Sequence, residues 1–394
     1  MSETNRPKRL RTFWTTLITV FGPVCALAAI TRLPLLSHRN ESPRSGIASR
    51  AGQSEQSLPD LPQNSQLPLL LSFAVPQGAG EPQSIAVSEH WLLLIGRSAG
   101  QIVIVNIGSR RQHSLDTILK AGMRADFVPT FKRGSATGPG RDEFVITVMN
   151  PRRVVRVKMP RDDTFEPDID TFDLPISVNT TLDVGHDEMV ANGPFPDTLL
   201  TRWRSSDGRL TRVSDVGDAL EPYVSSRILR ALVNQSTIAQ RASDHAIVQA
   251  FVFTSRLHVY KDFGRLDRII GGPVEIRPVY GTTTDVSSPE EAPVMMPSTR
   301  YGYLDVTADD TRIYTLFSGR SFGEFKGAAS LGSRIDMFGW DGEFLGSRRL
   351  LGAVSNISIG GSPNVLWAVQ REPKPAVVGY LLPPAGTSSS TRSN

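Results

Sequence analysis

A pair of short apolar runs parted by a polar loop recurs six times between residues 84 and 382, and no other property of the 394-residue chain constrains its fold as tightly. The pairs are 91–95 with 102–107, 144–148 with 154–159, 189–191 with 199–203, 246–253 with 257–260, 313–317 with 335–340, and 365–369 with 376–382. The first runs advance from 91 to 365 in five steps, a period of about 55 residues, which suits one sheet-forming unit with generous loops. Runs such as Trp91-Leu92-Leu93-Leu94-Ile95 and Phe144-Val145-Ile146-Thr147-Val148 are too short for helices and rich in branched or aromatic residues, so they read as strands. They are apolar on both faces, so each must be covered from two sides.

Radially packed sheets meet that demand, because every sheet lies between two neighbours. The expected fold class is therefore all-β, a six-bladed β-propeller over 67–383. Asp207-Gly208 and Asp341-Gly342 stand where paired strands join and supply the positive φ of tight hairpins. Weaker segments at 83–88, 180–185, 237–240, 301–306 and 355–359 precede the pairs as inner strands, and 209–213, 266–270 and 343–350 follow as outer ones. The sixth unit is one strand short, since Leu382 runs into Pro383-Pro384 and a disordered tail over 384–394. The apolar run 67–75 has no partner of its own and is expected to close the ring as that strand, because an open propeller leaves unpaired backbone on both sides of the gap.

The chain carries 43 Lys+Arg against 39 Asp+Glu, but residues 1–66 hold 8 of the basic and 4 of the acidic side chains, leaving 35 of each in the remainder. That balance argues against a nucleic-acid partner held by phosphate neutralisation. The local basic strand Arg152-Arg153-Val154-Val155-Arg156-Val157-Lys158 reads as a solvated edge or loop, with contact to an anionic partner as the alternative. Cys25 is the single cysteine, so the globular part has neither a disulfide nor a Cys metal site.

Arg6, Lys8, Arg9 and Arg11 precede 20 uncharged residues, 12–31, and Arg32 follows them. Residues 1–31 thus read as one hydrophobic helix, a signal sequence or a membrane anchor, with the N-terminus inside and the propeller exported. Ala26-Leu27-Ala28 offers a cleavage pattern, and both outcomes stay open. The residues before Cys25, Phe21-Gly22-Pro23-Val24, lack the pattern of a lipidated cysteine. Residues 32–66, rich in Ser, Pro, Gln and Arg, are expected to be a disordered linker. Residues 281–298 read as a low-order insertion without a role of its own, the alternative being a long loop of the kind on which binding specificity resides.

The stretch 301–382 resembles the C-terminal portion of the TolB-like six-bladed β-propeller family of bacterial envelope proteins, many of them lipoproteins. The residues that carry the resemblance are Tyr301 with Asp305-Val306, Ile313-Tyr314-Thr315-Leu316-Phe317-Ser318-Gly319-Arg320, Ile335-Asp336-Met337-Phe338-Gly339-Trp340-Asp341-Gly342, Val365-Leu366-Trp367-Ala368-Val369 and Val377-Val378-Gly379-Tyr380-Leu381. It covers about a fifth of the chain, and it implies fold and envelope location without implying an activity.

Catalytic signatures are absent from the sequence. Gly134-Ser135-Ala136-Thr137-Gly138-Pro139-Gly140-Arg141 has glycines but no Lys for a phosphate loop, and neither a Gly-x-Ser-x-Gly elbow nor His-Glu-x-x-His occurs. Asp168, Asp170 and Asp173 lack the Gly and Glu of a calcium loop and read as a solvated strand edge. The sharpest internal echo sets Thr181-Leu182-Asp183-Val184-Gly185-His186-Asp187-Glu188 beside Tyr303-Leu304-Asp305-Val306-Thr307-Ala308-Asp309-Asp310. Carboxylates converging on a propeller axis would hold a metal, so Asp183 and Asp305, with Asn179 and Asn356 as further oxygen ligands, are the candidate ligand-binding residues. The competing reading is that each Asp caps its own tight turn. No cofactor is expected.

These features favour an exported, membrane-tethered binding or interaction module of the bacterial envelope over an enzyme. Its partner would be an envelope protein or a cell-surface ligand, with membrane contact through the N-terminal segment. The alternative is a metal-dependent lactonase-like hydrolase or lyase working in the central channel.

Overall fold

The computed structural model describes residues 66–75, 81–96, 102–115, 127–132, 141–149, 152–162, 164–185, 187–221, 224, 226–262, 264–284, 291–360 and 365–384. The expected N-terminal helix, the linker up to residue 65 and the tail from 385 lie outside the described residues. Among the described residues no helix is long and apolar enough to cross a membrane.

The chain is all-β, built from antiparallel meanders. After β1 (Leu69–Ala74) the first unit is β2 (Pro82–Val87), β3 (Trp91–Gly96), β4 (Ile102–Asn106) and β5 (Gln112–Ser114). The second is β6 (Phe127–Lys132), β7 (Arg141–Met149), β8 (Arg152–Pro160) and β9 (Asp168–Asp173), and the third β10 (Thr180–Gly185), β11 (Glu188–Asn192), β12 (Thr198–Ser206) and β13 (Arg209–Asp218). The fourth comprises β14 (Ser236–Gln240), β15 (Ile247–Phe251), β16 (Arg256–Lys261) and β17 (Arg265–Gly271). A two-stranded ribbon, β18 (Tyr280–Thr284) with β19 (Glu291–Met295), precedes β20 (Tyr303–Ala308), β21 (Arg312–Phe317) and β22 (Gly332–Gly339). The 17-residue β23 (Phe344–Gly360) then serves twice. Its first half pairs with β22 and its second half with β24 (Val365–Glu372), across register shifts around Ala353 and Val354. β25 (Ala376–Leu381) follows.

The segment expected to close the fold does pair where the sequence placed it. β1 runs antiparallel to β25, with Ser72 opposite Val378 and Ala74 opposite Ala376. Leu67 N–H adds a bond to Arg349 O at 3.0 Å. At the other side of the molecule β9 and β13 touch at one parallel pairing, Asp173 with Arg209, which merges two meanders into an eight-stranded sheet.

Strands that are apolar on both faces feed two cores at once. In β3, Trp91, Leu93 and Ile95 pack with Phe144, Ile146, Val155 and Val157 of the second meander. Leu92 and Leu94 pack instead with Val365, Trp367, Val369 and Val377 from the end of the chain. The same partition recurs between each pair of consecutive meanders, so the core is divided among sectors. Inner strands β2, β6, β10, β14, β20 and the second half of β23 each touch the next, and β23 touches β2. This radial order, with cores between sheets that face one another, is that of a β-propeller.

Four features depart from the sequence reading. The basic segment 152–158, expected as a solvated edge, is the interior strand β8, paired with both β7 and β9. β6 is an inner strand that the sequence did not reveal. α1 (Arg227–Val233), capped by Ser226 Oγ accepting from Leu229 N–H, stands between β13 and β14. The region expected to be a low-order insertion, 281–298, forms the β18–β19 ribbon at both its ends. The Asp-Gly turns are as expected: Asp207 and Gly208 have φ of 50° and 73°, and Gly342 has 94°. The basic strand β8 and the acidic strand β9 are cross-strand partners, with Arg153 to Asp173 at 2.9 Å and Lys158 to Asp170 at 3.0 Å.

Candidate functional site

The inner strands surround a cavity of about 80 Å³, lined among others by Ile85, Thr180, Thr237, Asp305, Asn356 and Ser358. Each inner strand is paired on one side only, so the N–H groups of its other edge need acceptors. On part of the ring the neighbouring unit supplies them. Asn356 Oδ1 accepts from Ile85 N–H at 2.8 Å and Ser358 Oγ from Val87 N–H at 3.0 Å, which ties β23 to β2. Asp305 Oδ2 accepts from Ile357 N–H at 2.8 Å and Thr307 Oγ1 from Ile359 N–H at 3.1 Å, which ties β20 to β23. Asn356 Nδ2 also donates to Asp305 Oδ2.

The four residues singled out in the sequence therefore divide. Asp305 and Asn356 meet, both on the cavity wall. Asp305 is buried, and burial pushes its carboxyl up to about 7, against the opposing effect of N–H bonds from Ile357, Val306 and Asn356. Asp183 lies elsewhere. Its Oδ2 accepts from Arg156 Nη2 at 2.5 Å, and its Oδ1 accepts from Gly185 N–H at 2.8 Å. Arg156 belongs to β8 and also faces Glu143 at 3.0 Å, so Asp183 clamps the second meander to the third. Asn179 is buried just before β10 and is not part of the cavity wall. Of the four, the structure brings Asp305 and Asn356 together, whereas Asp183 pairs with Arg156 and Asn356 gives its carbonyl oxygen to Ile85.

Turn capping by these aspartates is visible directly. Asp305 Oδ1 accepts from its own neighbour Val306 at 2.9 Å, and Asp309 Oδ1 accepts from Thr311 and Arg312 N–H groups, both at 2.7 Å. Among the described residues no group of three or more His, Cys, Asp or Glu side chains is placed to hold a metal. The hydroxyl residues Thr180, Thr237, Thr307 and Ser358 were missed in the sequence. Their only signal is the polar–apolar–polar pattern of Asp305-Val306-Thr307 and Asn356-Ile357-Ser358.

A second feature lies on one rim. Alternating strand direction puts α1, the β18–β19 ribbon and the segment between β21 and β22 at the same end of the sheets, where the inner strands begin. These insertions touch one another. α1 contacts β19, Gly323 N–H bonds Pro297 O at 2.8 Å, and Arg300 Nη1 bonds Gly319 O at 2.9 Å. Beneath them Phe253, Tyr301 and Ala329 form a separate small core with Met295 and Phe322. Ile228, Met296 and Phe325 are exposed on this platform. The opposite rim carries both chain ends of the described fold: β1 starts there, and Arg312 donates to Pro383 O and Pro384 O at 2.8 and 2.7 Å.

No family model matches the chain, and no curated protein matches it. Among solved structures, the chain is similar to the β-propeller domain of Cps50 (Swd1) from Myceliophteria thermophila, at 9% identity and a TM-score of 0.46, covering 80% of this chain and 100% of that one. A protein of unknown function from Bacteroides thetaiotaomicron matches at 10% identity and a TM-score of 0.46, over 80% of this chain and 73% of that one. Raptor from Chaetomium thermophilum matches at 8% identity and a TM-score of 0.45, over 82% of this chain and 29% of that one.

Proposed function

We propose that the chain is a six-bladed β-propeller of the bacterial envelope, closed by its own N-terminal strand, that works as a protein-interaction module. The count of six is supported by the closed cycle of inner-strand contacts and the six sector cores. The resemblance of 301–382 to the TolB-like family and the apolar segment 12–31 support export and tethering. One observation carries the functional reading. The acidic and amide side chains that would do chemistry are used to join blades, whereas three insertions with their own small core form a raised, partly apolar platform on one rim. Its partner would be an envelope protein or a surface ligand.

The polarity of the ring fits a tether. The chain enters β1 at the rim opposite the platform, so an N-terminal tether would hold the platform facing away from the membrane. A photo-crosslinking residue at Ile228 or Phe325, compared with one at Leu266 on β17, tests this in the intact cell envelope. Crosslinks to one protein or glycan from the platform positions, absent from Leu266 and lost in Ile228→Asp, are expected. Equal labelling from both surfaces would contradict the reading.

A further inference from the structure

An outer strand pairs on one side only and offers its other edge to any extended chain, so folded proteins blunt such edges with charge, brevity or cover. β5 has 3 residues, and β9 and β13 cover one another at Asp173 and Arg209. β17 carries Arg265, Asp267 and Arg268, and the first half of β23 carries Arg348 and Arg349, with Leu67 N–H bonded to Arg349 O. β1 has none of these guards. Its 6 residues pair with β25 alone among the described strands, and from 61 to 80 the sequence holds no charged residue. Leu381 N–H donates to Pro68 O, so by alternation Gly379 and Val377 also turn their backbone groups toward β1. Beyond the register shift at Leu69–Leu71, the backbone groups of Leu71 and Phe73 face β25, and those of Ser72 and Ala74 face outward. Ser72 and Ala74 are exposed, as are Leu69 and Leu70, at 44% and 47%.

We propose that β1 is a dimerisation edge that takes the β1 of a second copy of this chain in antiparallel pairing. A two-fold axis sets such an edge against itself, and here it brings Leu70, Ser72 and Ala74 of the two copies together with no like charges opposed. Ser72 and Ala74 of one copy present N–H and C=O groups at the spacing that the same residues of the other require. Their small side chains leave room for the approaching backbone. Neighbouring strands of a sheet turn by roughly 20–25°, so from the second half of β23 through β24 and β25 to β1 the strand direction swings by about 60–75°. β1 thus runs across the channel axis more than along it, and a two-fold axis normal to the sheet at β1 lies near the channel direction. Both copies then keep their platforms on one side and their incoming chains on the other, which suits two chains held by one membrane. A single strand edge buries less than the roughly 1,600 Å² of a standard interface, so a shared tether strengthens the pairing by raising the effective concentration of copies. The pairing itself requires neither the platform nor the tether.

Thiol crosslinking of the full chain, in the cells that produce it, tests the proposal. In a Cys25→Ser background, Ser72→Cys is treated with a bismaleimide that spans about 10 Å, enough to join the two copies of position 72 across adjacent strands at a register offset of up to about two residues. The expected result is a covalent homodimer at several times the yield given by Leu266→Cys, an exposed control on the charged edge of β17. Adding Ala74→Lys or, should that chain not fold, Leu70→Lys sets like charges against one another and is expected to cut the yield by about fivefold or more. Equal yields from positions 72 and 266 overturn the proposal, as does a dimer that forms undiminished in the lysine variants. A Ser72→Cys crosslink made only to a different protein overturns it too.

Discussion

Asp305 binds its own strand through Oδ1 and the next blade through Oδ2, so its ionisation is coupled to the ring. Burial lifts its carboxyl from an ordinary 3.8 to about 7. Between about pH 4 and pH 7 the folded chain keeps a proton that the unfolded chain has lost. This stabilisation is complete below the lower value and is lost as pH rises through the upper one, a change on the order of 4 kcal/mol. Urea unfolding is expected to show that fall in the parent and not in Asp305→Asn; parallel falls in both would contradict it. Asn356→Ala leaves Ile85 N–H without its acceptor and takes a donor from Asp305, and should cost about 2–3 kcal/mol by the same measurement. A loss within experimental error would show that the tie is idle. The aspartate echo was legible in the sequence, and so was the capping of local turns. What captured Asp183 was not, because Arg156 comes from a neighbouring unit and no local pattern links the two.

The elements divide by how strongly their burial marks the sequence. Strands such as β3 and β24 were legible because both faces feed a core, which leaves an uninterrupted apolar run. β6 carries Pro129 in its middle, a residue that argues against a central strand; it is tolerated because β6 lies at the inner edge of its sheet. α1 has 7 residues, two turns, too few to show a period. β1 was legible as an apolar run with no partner nearby, and its role can be tested by truncation. A chain starting at residue 66 should melt as the parent does, whereas one starting at 76 exposes β25 and should lose cooperative unfolding. Equal melting of the two would refute closure by β1. The platform depends on a close approach of backbone, since a Cβ on Gly302 would lie 1.9 Å from Thr254 O. Gly302→Ala is therefore expected to cost at least about 2 kcal/mol in denaturant unfolding, and an unperturbed midpoint would show that the contact yields freely.

At the scale of the whole molecule, stability is shared among sector cores that each need two neighbours, so the ring is only as sound as its last junction. Val365, Trp367, Val369 and Val377 from the end of the chain pack on Ile85, Val87, Leu92 and Leu94 from its beginning. β1 then completes the final sheet from outside. Global architecture was legible because a repeat of unit size leaves few topologies that cover every strand twice; the platform was not, because its insertions follow no repeat. Closure has a direct chemical test. Ser72 and Val378 face one another across β1 and β25, within the Cα separation that a disulfide spans. In a Cys25→Ser background, Ser72→Cys with Val378→Cys is predicted to oxidise to an intramolecular disulfide that raises Tm. Thiols that stay free, or that link only separate chains, would contradict a ring closed by its own first strand.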